Sequence, residues 1–314
     1  MNPVLRFLSQ NKSLVGLIVL IVAVSLASPD FLDVGNLLNV LRQTSINAVI
    51  AMGMTFVILT AGIDLSVGAI LALCGAFAAS LIASGSGLLI AMPIVLLAGL
   101  ALGAVSGLII TYGAVQPFIA TLVSMTVLRG AVLVFSNGTP IDASSGAASN
   151  AFGNLGAGYV FGIPIPVIAA AIVFAGCWVA LTQTRFGRYV YAIGGNENVT
   201  RLSGVNVTLI KIVVYAVSGL LSALAGIILT ARLESAQPTA GVGYELDAIA
   251  AVVVGGTSLA GGIGSMTGTL IGALIIGILN NAVNLMDVSA YYQMIAKGAV
   301  ILLAVLVDRR GAQN

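Results

Sequence analysis

Apolar runs of about the length that crosses a lipid bilayer follow one another through this chain, and they leave a bundle of membrane helices as its expected fold. A hydrocarbon core of about 30 Å takes roughly 20 residues of helix. Within it, only structures that satisfy every backbone N–H and C=O internally can persist. We read about ten such segments, at 13–27, 44–60, 65–83, 88–110, 118–135, 165–181, 212–230, a shorter glycine-interrupted one at 248–259, 266–285 and 291–307. The expected fold is all-α: one polytopic transmembrane domain over 1–314, with broken or re-entrant segments. A composition 59% hydrophobic and 7% charged agrees, since soluble domains carry about 25% charged residues. The first run follows Arg6 and Lys12 as a signal peptide would, but nothing soluble comes after it and Ser28-Pro29-Asp30 is a poor cleavage site, so it reads as a retained span.

Positive loops stay cytoplasmic. With ten crossings, Arg6, Lys12, Arg185, Arg188, Arg201, Lys211, Arg309 and Arg310 share one side, and Asp30, Asp33, Asp142, Glu234, Glu245 and Asp287 the other, with Arg232 the main exception. Both termini and a loop at 183–211 are therefore expected in the cytoplasm. Outside lie two loops, 137–164, read as turns without a helical apolar stripe, and 233–247. Gln237, Tyr244 and Glu245 in the second are candidates for docking an external partner, and a plain solvated connector fits the composition equally well.

The most polar compact element is 194–204. Gly195 ends what precedes it, and Asn196 is suited to cap a short helix. Glu197 then stands where the helix dipole favours an anion, with Arg201 at i+4 and Gly204 as the stop. Val199 and Leu202 offer a small apolar contact. A helix of about two turns is unstable alone; a membrane-surface helix and a docking element fit these residues equally. Two further segments break the apolar runs, 60–68 with Asp64, Ser66 and Gly68, and 255–264 with Gly255, Gly256, Thr257 and Ser258. Such breaks are tolerated where protein or a water-filled cavity satisfies them, and their similar contexts suggest two weakly related halves. Asp64 is read as an N-cap of the following helix ahead of a substrate or proton site. Gly99, Gly103 and Gly107, and Gly268, Gly272 and Gly277, have the spacing that lets helices pack closely.

The chemistry is limited. There is no histidine, no phosphate-cradling loop ending in Lys-Ser/Thr, no metal-ligand cluster and no paired acids inside a span, so neither an enzyme nor an ATPase site is expected here. Cys74 and Cys177 read as small buried hydrophobes. Arg129 and Lys297 lie within apolar runs, where pairing with a neighbour's carbonyls or snorkelling is preferred to a proton relay. What remains is a pore whose energy arrives from outside the chain.

Three stretches, Gly53-Met54-Thr55 through 60–68, Gly194-Gly195-Asn196-Glu197 with Arg201-Leu202-Ser203-Gly204, and 244–262, resemble the signatures of monosaccharide ABC importer permeases, with the ribose permeases of bacteria the nearest branch. The resemblance covers essentially the whole chain. It implies a homodimer in the bacterial inner membrane, a cytoplasmic ABC ATPase with tandem nucleotide-binding domains that binds ATP and Mg, a periplasmic sugar-binding protein, and no cofactor in this chain. It also implies that 195–204 is a coupling helix, with Val199 and Leu202 toward the ATPase. One departure is Ile263, where relatives often carry Lys or Arg. The competing class is an ion-coupled secondary transporter or channel for a small polar solute, for which Asp64 and Lys297 would be the first residues to test.

Overall fold

The computed structural model describes residues 12–286 and, beyond them, positions 292, 295, 298, 299 and 302. Apart from those five positions, the expected last crossing lies outside the described residues, as do Lys297 and the terminal arginines. Twelve α-helices lie within them: α1 (Lys12–Ala27), α2 (Val34–Leu59), α3 (Val67–Ala83), α4 (Leu88–Tyr112), α5 (Pro117–Phe135), α6 (Ser149–Ala157), α7 (Ile165–Gln183), α8 (Arg185–Gly195), α9 (Glu197–Leu202), α10 (Val207–Leu233), α11 (Tyr244–Val254) and α12 (Met266–Leu285). Six of these, α2, α4, α5, α7, α10 and α12, are long and apolar enough to cross a membrane, and α1 and α3 are shorter apolar helices. The segment expected to cross at 248–259 holds a helix too short to do so alone. Its helix α11 has 11 residues, about 16 Å at 1.5 Å per residue, which spans half a bilayer.

Burial sorts the helices into centre and rim. α2 and α10 bury 78% and 72% of their most apolar stretch, against 22%, 17% and 22% for α4, α5 and α7. α2 begins ten residues before 44, where the sequence reading started it because Asn36, Asn39, Arg42 and Gln43 dilute the apolar run. The helix is nonetheless well begun: Asp33 accepts from Gly35 N at 2.9 Å and Asn36 N at 3.3 Å, satisfying first-turn donors. Farther along, Asn36 and Asn281 exchange amide hydrogen bonds of 3.2 and 2.8 Å between α2 and α12, and the hydroxyls of Thr55 and Thr269 meet at 2.7 Å.

Small residues let the main chains touch. A Cβ on Gly103 of α4 would sit 2.2 Å from the Tyr215 carbonyl oxygen of α10, and one on Gly272 of α12 would sit 1.9 Å from that of Ala251 in α11. Without a hydrophobic drive between helices in lipid, such close packing is the main source of association.

The expectation of turns alone over 137–164 is corrected. The segment contains α6, with Phe152 buried, and a hairpin pairing β2 (Tyr159–Val160) with β3 (Ile163–Pro164). It also contributes β1 (Ile141–Asp142), antiparallel to β4 (Ser235–Ala236), which ties the two expected outer loops together. α6 has almost no apolar stripe in sequence because packing on α10 makes it: a Cβ on Gly156 would lie 2.1 Å from Arg232 N.

Gly103→Val is expected to lower the thermal midpoint of the purified protein in lipid nanodiscs, consistent with overpacking costs of about 1–3 kcal/mol. Gly176→Val, where a Cβ meets nothing within 4 Å, should leave the midpoint unchanged in the same melt.

Candidate functional site

The polar element forms two helices joined at Asn196. α8 opens with Thr184 accepting from Gly187 N at 3.3 Å. α9 opens with the Asn196 side chain accepting from Val199 N at 3.0 Å, and it ends before Gly204, which takes a left-handed φ of +83°. Glu197 receives Arg201 Nη2 at 2.9 Å within α9 and Lys211 Nζ at 2.5 Å from α10, so one carboxylate fastens the short helix to a central one. Partial burial works against the charge on Glu197, but Lys211 and Arg201 outweigh it and hold the carboxyl below the usual glutamate range. Thr200 faces inward and is buried, while Val199 is 58% and Leu202 88% exposed. The helix therefore turns its polar ties toward the bundle and its apolar pair outward.

Behind α8 three backbones meet. The Leu59 carbonyl at the end of α2 accepts from Gly262 N at 3.0 Å, and Gly194 packs over the pair so tightly that a Cβ there would lie 1.9 Å from that carbonyl oxygen. Tyr191 of α8 donates its hydroxyl to the Gly264 carbonyl at 2.8 Å. Both breaks enter this junction through the same turn. After α2, Ala61 N reaches Ile58 O and Gly62 N reaches Val57 O; after α11, Gly256 N reaches Val253 O and Thr257 N reaches Val252 O. These are Schellman closures with Ala61 (φ +58°) and Gly256 (φ +91°) in the left-handed position. Gly255 lies against Gly268, Ser258 N donates to Ile263 O at 2.9 Å, and Ile263 stands 68% exposed at the rim.

Asp64 is not the N-cap of α3. Ser66 holds that position, and Asp64, two residues earlier, is fully buried. One carboxylate oxygen accepts from Ser66 N at 3.0 Å and Ser66 Oγ at 2.5 Å, and the other from Ser218 Oγ of α10 at 2.8 Å. The carboxylate thus knots the first break to the middle of a central helix. Gly68, just inside α3, abuts Gly241, whose carbonyl oxygen would be 2.2 Å from a Cβ.

That contact corrects the picture of 233–247 as a solvated connector. The segment folds into the bundle, where Arg129 of α5 donates to the Pro238 and Ala240 carbonyls at 2.8 Å each. Gln237 bonds locally to Ser235 at 3.2 Å, and Glu245 accepts from Gly243 N at 3.2 Å. Tyr244 lines a polar cavity of about 210 Å³, along with Thr44 and Asn47 of α2, Arg232 of α10, Asp247 of α11 and Asn280 of α12. Thr44 Oγ1 and Asn47 Oδ1 are buried there without a hydrogen-bond partner, at a cost of about 1–3 kcal/mol per unsatisfied group. Sequence reasoning brought none of these residues together, naming Tyr244 only as a docking candidate and Arg232 only as a charge exception, because single polar positions on four separate helices form no local motif.

A bundle with six helices long and apolar enough to cross a membrane defines a multi-pass membrane protein. The family model described as "Branched-chain amino acid transport system / permease component" matches residues 36–305, and the chain belongs to that family. Among curated proteins it is 61% identical over 303 residues to the ribose import permease protein RbsC of Haemophilus influenzae, covering 96% of this chain and 94% of the relative. It is 58% identical over 304 residues to RbsC of Escherichia coli K12 (97% and 95%) and 56% identical over 296 residues to RbsC of Bacillus subtilis 168 (94% and 91%). No solved structure matches the chain.

Because the folded Glu197 carboxyl titrates below its unfolded value, its ion pairs contribute fully above the ordinary glutamate pKa of about 4.3 and are lost as pH falls through the lower folded value. Melting of wild type and Glu197→Gln over a pH series should show a stability gap at neutral pH that closes in that acid range. A gap independent of pH would mean the carboxylate's charge does not fasten α9.

Proposed function

We propose that this chain is the membrane-spanning subunit of an ATP-driven ABC importer that carries ribose from periplasm to cytoplasm. The observation that carries the reading is identity of 56–61% with three ribose import permeases over more than nine-tenths of the chain. The permease works as a homodimer in the inner membrane of a bacterium. A tandem-domain ATPase on the cytoplasmic face binds ATP and Mg, and a periplasmic protein delivers the sugar. Each copy crosses the membrane about ten times in two weakly related halves, α11 entering as a half-span, with both termini cytoplasmic. Arg185, Arg188, Arg201 and Lys211 cluster around α8 and α9, and this supports a cytoplasmic placement of that end.

The geometry suggests how force would pass. The exposed Val199 and Leu202 supply an apolar face for a groove on the ATPase, and Glu197 with Arg201 fixes its orientation. A displaced α9 would pull on α10 through Lys211 and on the ends of α2 and α11 through the junction at Gly194. The same three helices supply Thr44, Asn47, Arg232, Tyr244 and Asp247 to the cavity farther along. α11 is the shortest route, running about 16 Å from cavity to junction. Asp64 suits an ion-coupled mechanism poorly, since serine donors engage both of its oxygens.

In proteoliposomes holding the permease, its ATPase and the binding protein, Arg201→Glu or Leu202→Asp should cut ATP-driven ribose uptake by about tenfold or more, equivalent to about 1.4 kcal/mol of lost coupling. Membrane insertion of the variant chain should be normal. Uptake driven by an ion gradient without the ATPase would overturn the importer reading.

A further inference from the structure

We infer that the polar cavity between α2, α10, α11 and α12 is a binding site for the sugar in transit, selective for a neutral polyol of monosaccharide size; this rests on the importer reading and adds the place where cargo pauses.

Three observations converge on it. The first is composition: in a chain with 7% charged residues, this one cavity draws Thr44, Asn47, Arg232, Tyr244, Asp247 and Asn280 from four helices. Arg232 and Asp247 bring one charge of each sign into the lining, with the Arg42 cation close enough to act on Arg232, so hydroxyls can be met by donors and acceptors alike. Amide, guanidinium and phenol groups donate while carboxylate, amide and hydroxyl oxygens accept, which suits sugar hydroxyls that each do both. Second is the pair of unmet acceptors. Thr44 is 3% exposed, and its Oγ1, like Asn47 Oδ1, lacks any hydrogen-bond partner. Gly277 on α12 makes room for that hydroxyl, since a Cβ there would lie 1.9 Å from Thr44 Oγ1. Buried polar groups are normally paired; these two lie just behind the cavity wall, and a turn of either side chain toward the cavity would pair it with a ligand hydroxyl. Third is size and place. At about 210 Å³ the cavity falls below the roughly 300–1,000 Å³ typical of drug-sized ligands. It also lies at the ends of α2, α10 and α11 remote from α9, so movement of the junction would change its shape.

The test uses the complete transporter in proteoliposomes with labelled D-ribose. Asn47→Leu and Asn280→Leu should each lower uptake by about tenfold, as expected when a sugar hydrogen bond is lost. Binding-protein-stimulated ATP hydrolysis reports that each variant still assembles, and Asn47→Gln, which keeps both the amide donor and the acceptor, should restore most uptake. Leucine variants that transport like wild type would overturn the site. A second readout covers variants that fail to assemble: Asn280→Cys, in a chain with Cys74→Ala and Cys177→Ala, should react with maleimide more slowly in millimolar ribose and not in ribose 5-phosphate. Equal rates in all three conditions would overturn the site. Protection by ribose in a transporter that shows no ATP-driven uptake would leave the site standing and sink the importer reading instead.

Discussion

The last turn of any helix leaves carbonyls without partners, and where that turn is surrounded by protein inside a membrane, another backbone must meet them. At the end of α2 this need is filled by Gly262 N–H on the Leu59 carbonyl, and the bond can form only because Gly194 lacks a side chain. One hydrogen bond and the close packing of Gly194 on it therefore join three chain segments far apart in sequence: the end of a central helix, the glycine-rich break after α11, and the end of α8. α9 follows directly, and its orientation depends on this anchor as well as on the ion pair with Lys211.

From that junction the central helices lead to the opposite end of the bundle. α2, α10 and α12 are long enough to cross, and they pack through glycine contacts that leave little freedom to shear. α11 is short, begins beside the cavity and ends in the Schellman turn at Gly256. The inward fold of 233–247 makes this half-helix workable. Arg129 satisfies the carbonyls of Pro238 and Ala240, so irregular backbone lies among the helices without unpaired acceptors at those positions. Asp64 serves the other break in the same way, joining it to α10 through Ser218.

Local features were legible in the sequence in proportion to how local their causes are. The cap at Asn196, the Glu197–Arg201 pair and the left-handed Gly204 depend on neighbours within a few residues, and the structure has each of them. Features set by distant partners were not. Asp64 had the look of a cap, but Ser218, 154 positions away, claims one of its oxygens, and the helix starts later. α6 has too few apolar residues to announce itself, and it is formed against α10. Tyr244 and Glu245 read as loop residues because their polarity hides the inward turn that Gly241 makes against Gly68.

By itself the sequence determined that the chain is an all-helical membrane protein, roughly where its apolar helices fall, with the start of α2 misplaced by ten residues, and that a short capped helix interrupts them, since hydropathy and capping act over short distances. The tertiary structure alone decided that α11 stops half-way, that two breaks and α8 share one backbone junction, and that Thr44, Asn47, Arg232, Asp247 and Asn280 face one cavity. Those outcomes depend on which helices come close enough to exchange backbone contacts, and the glycines that permit the approach do not say which partner they will meet.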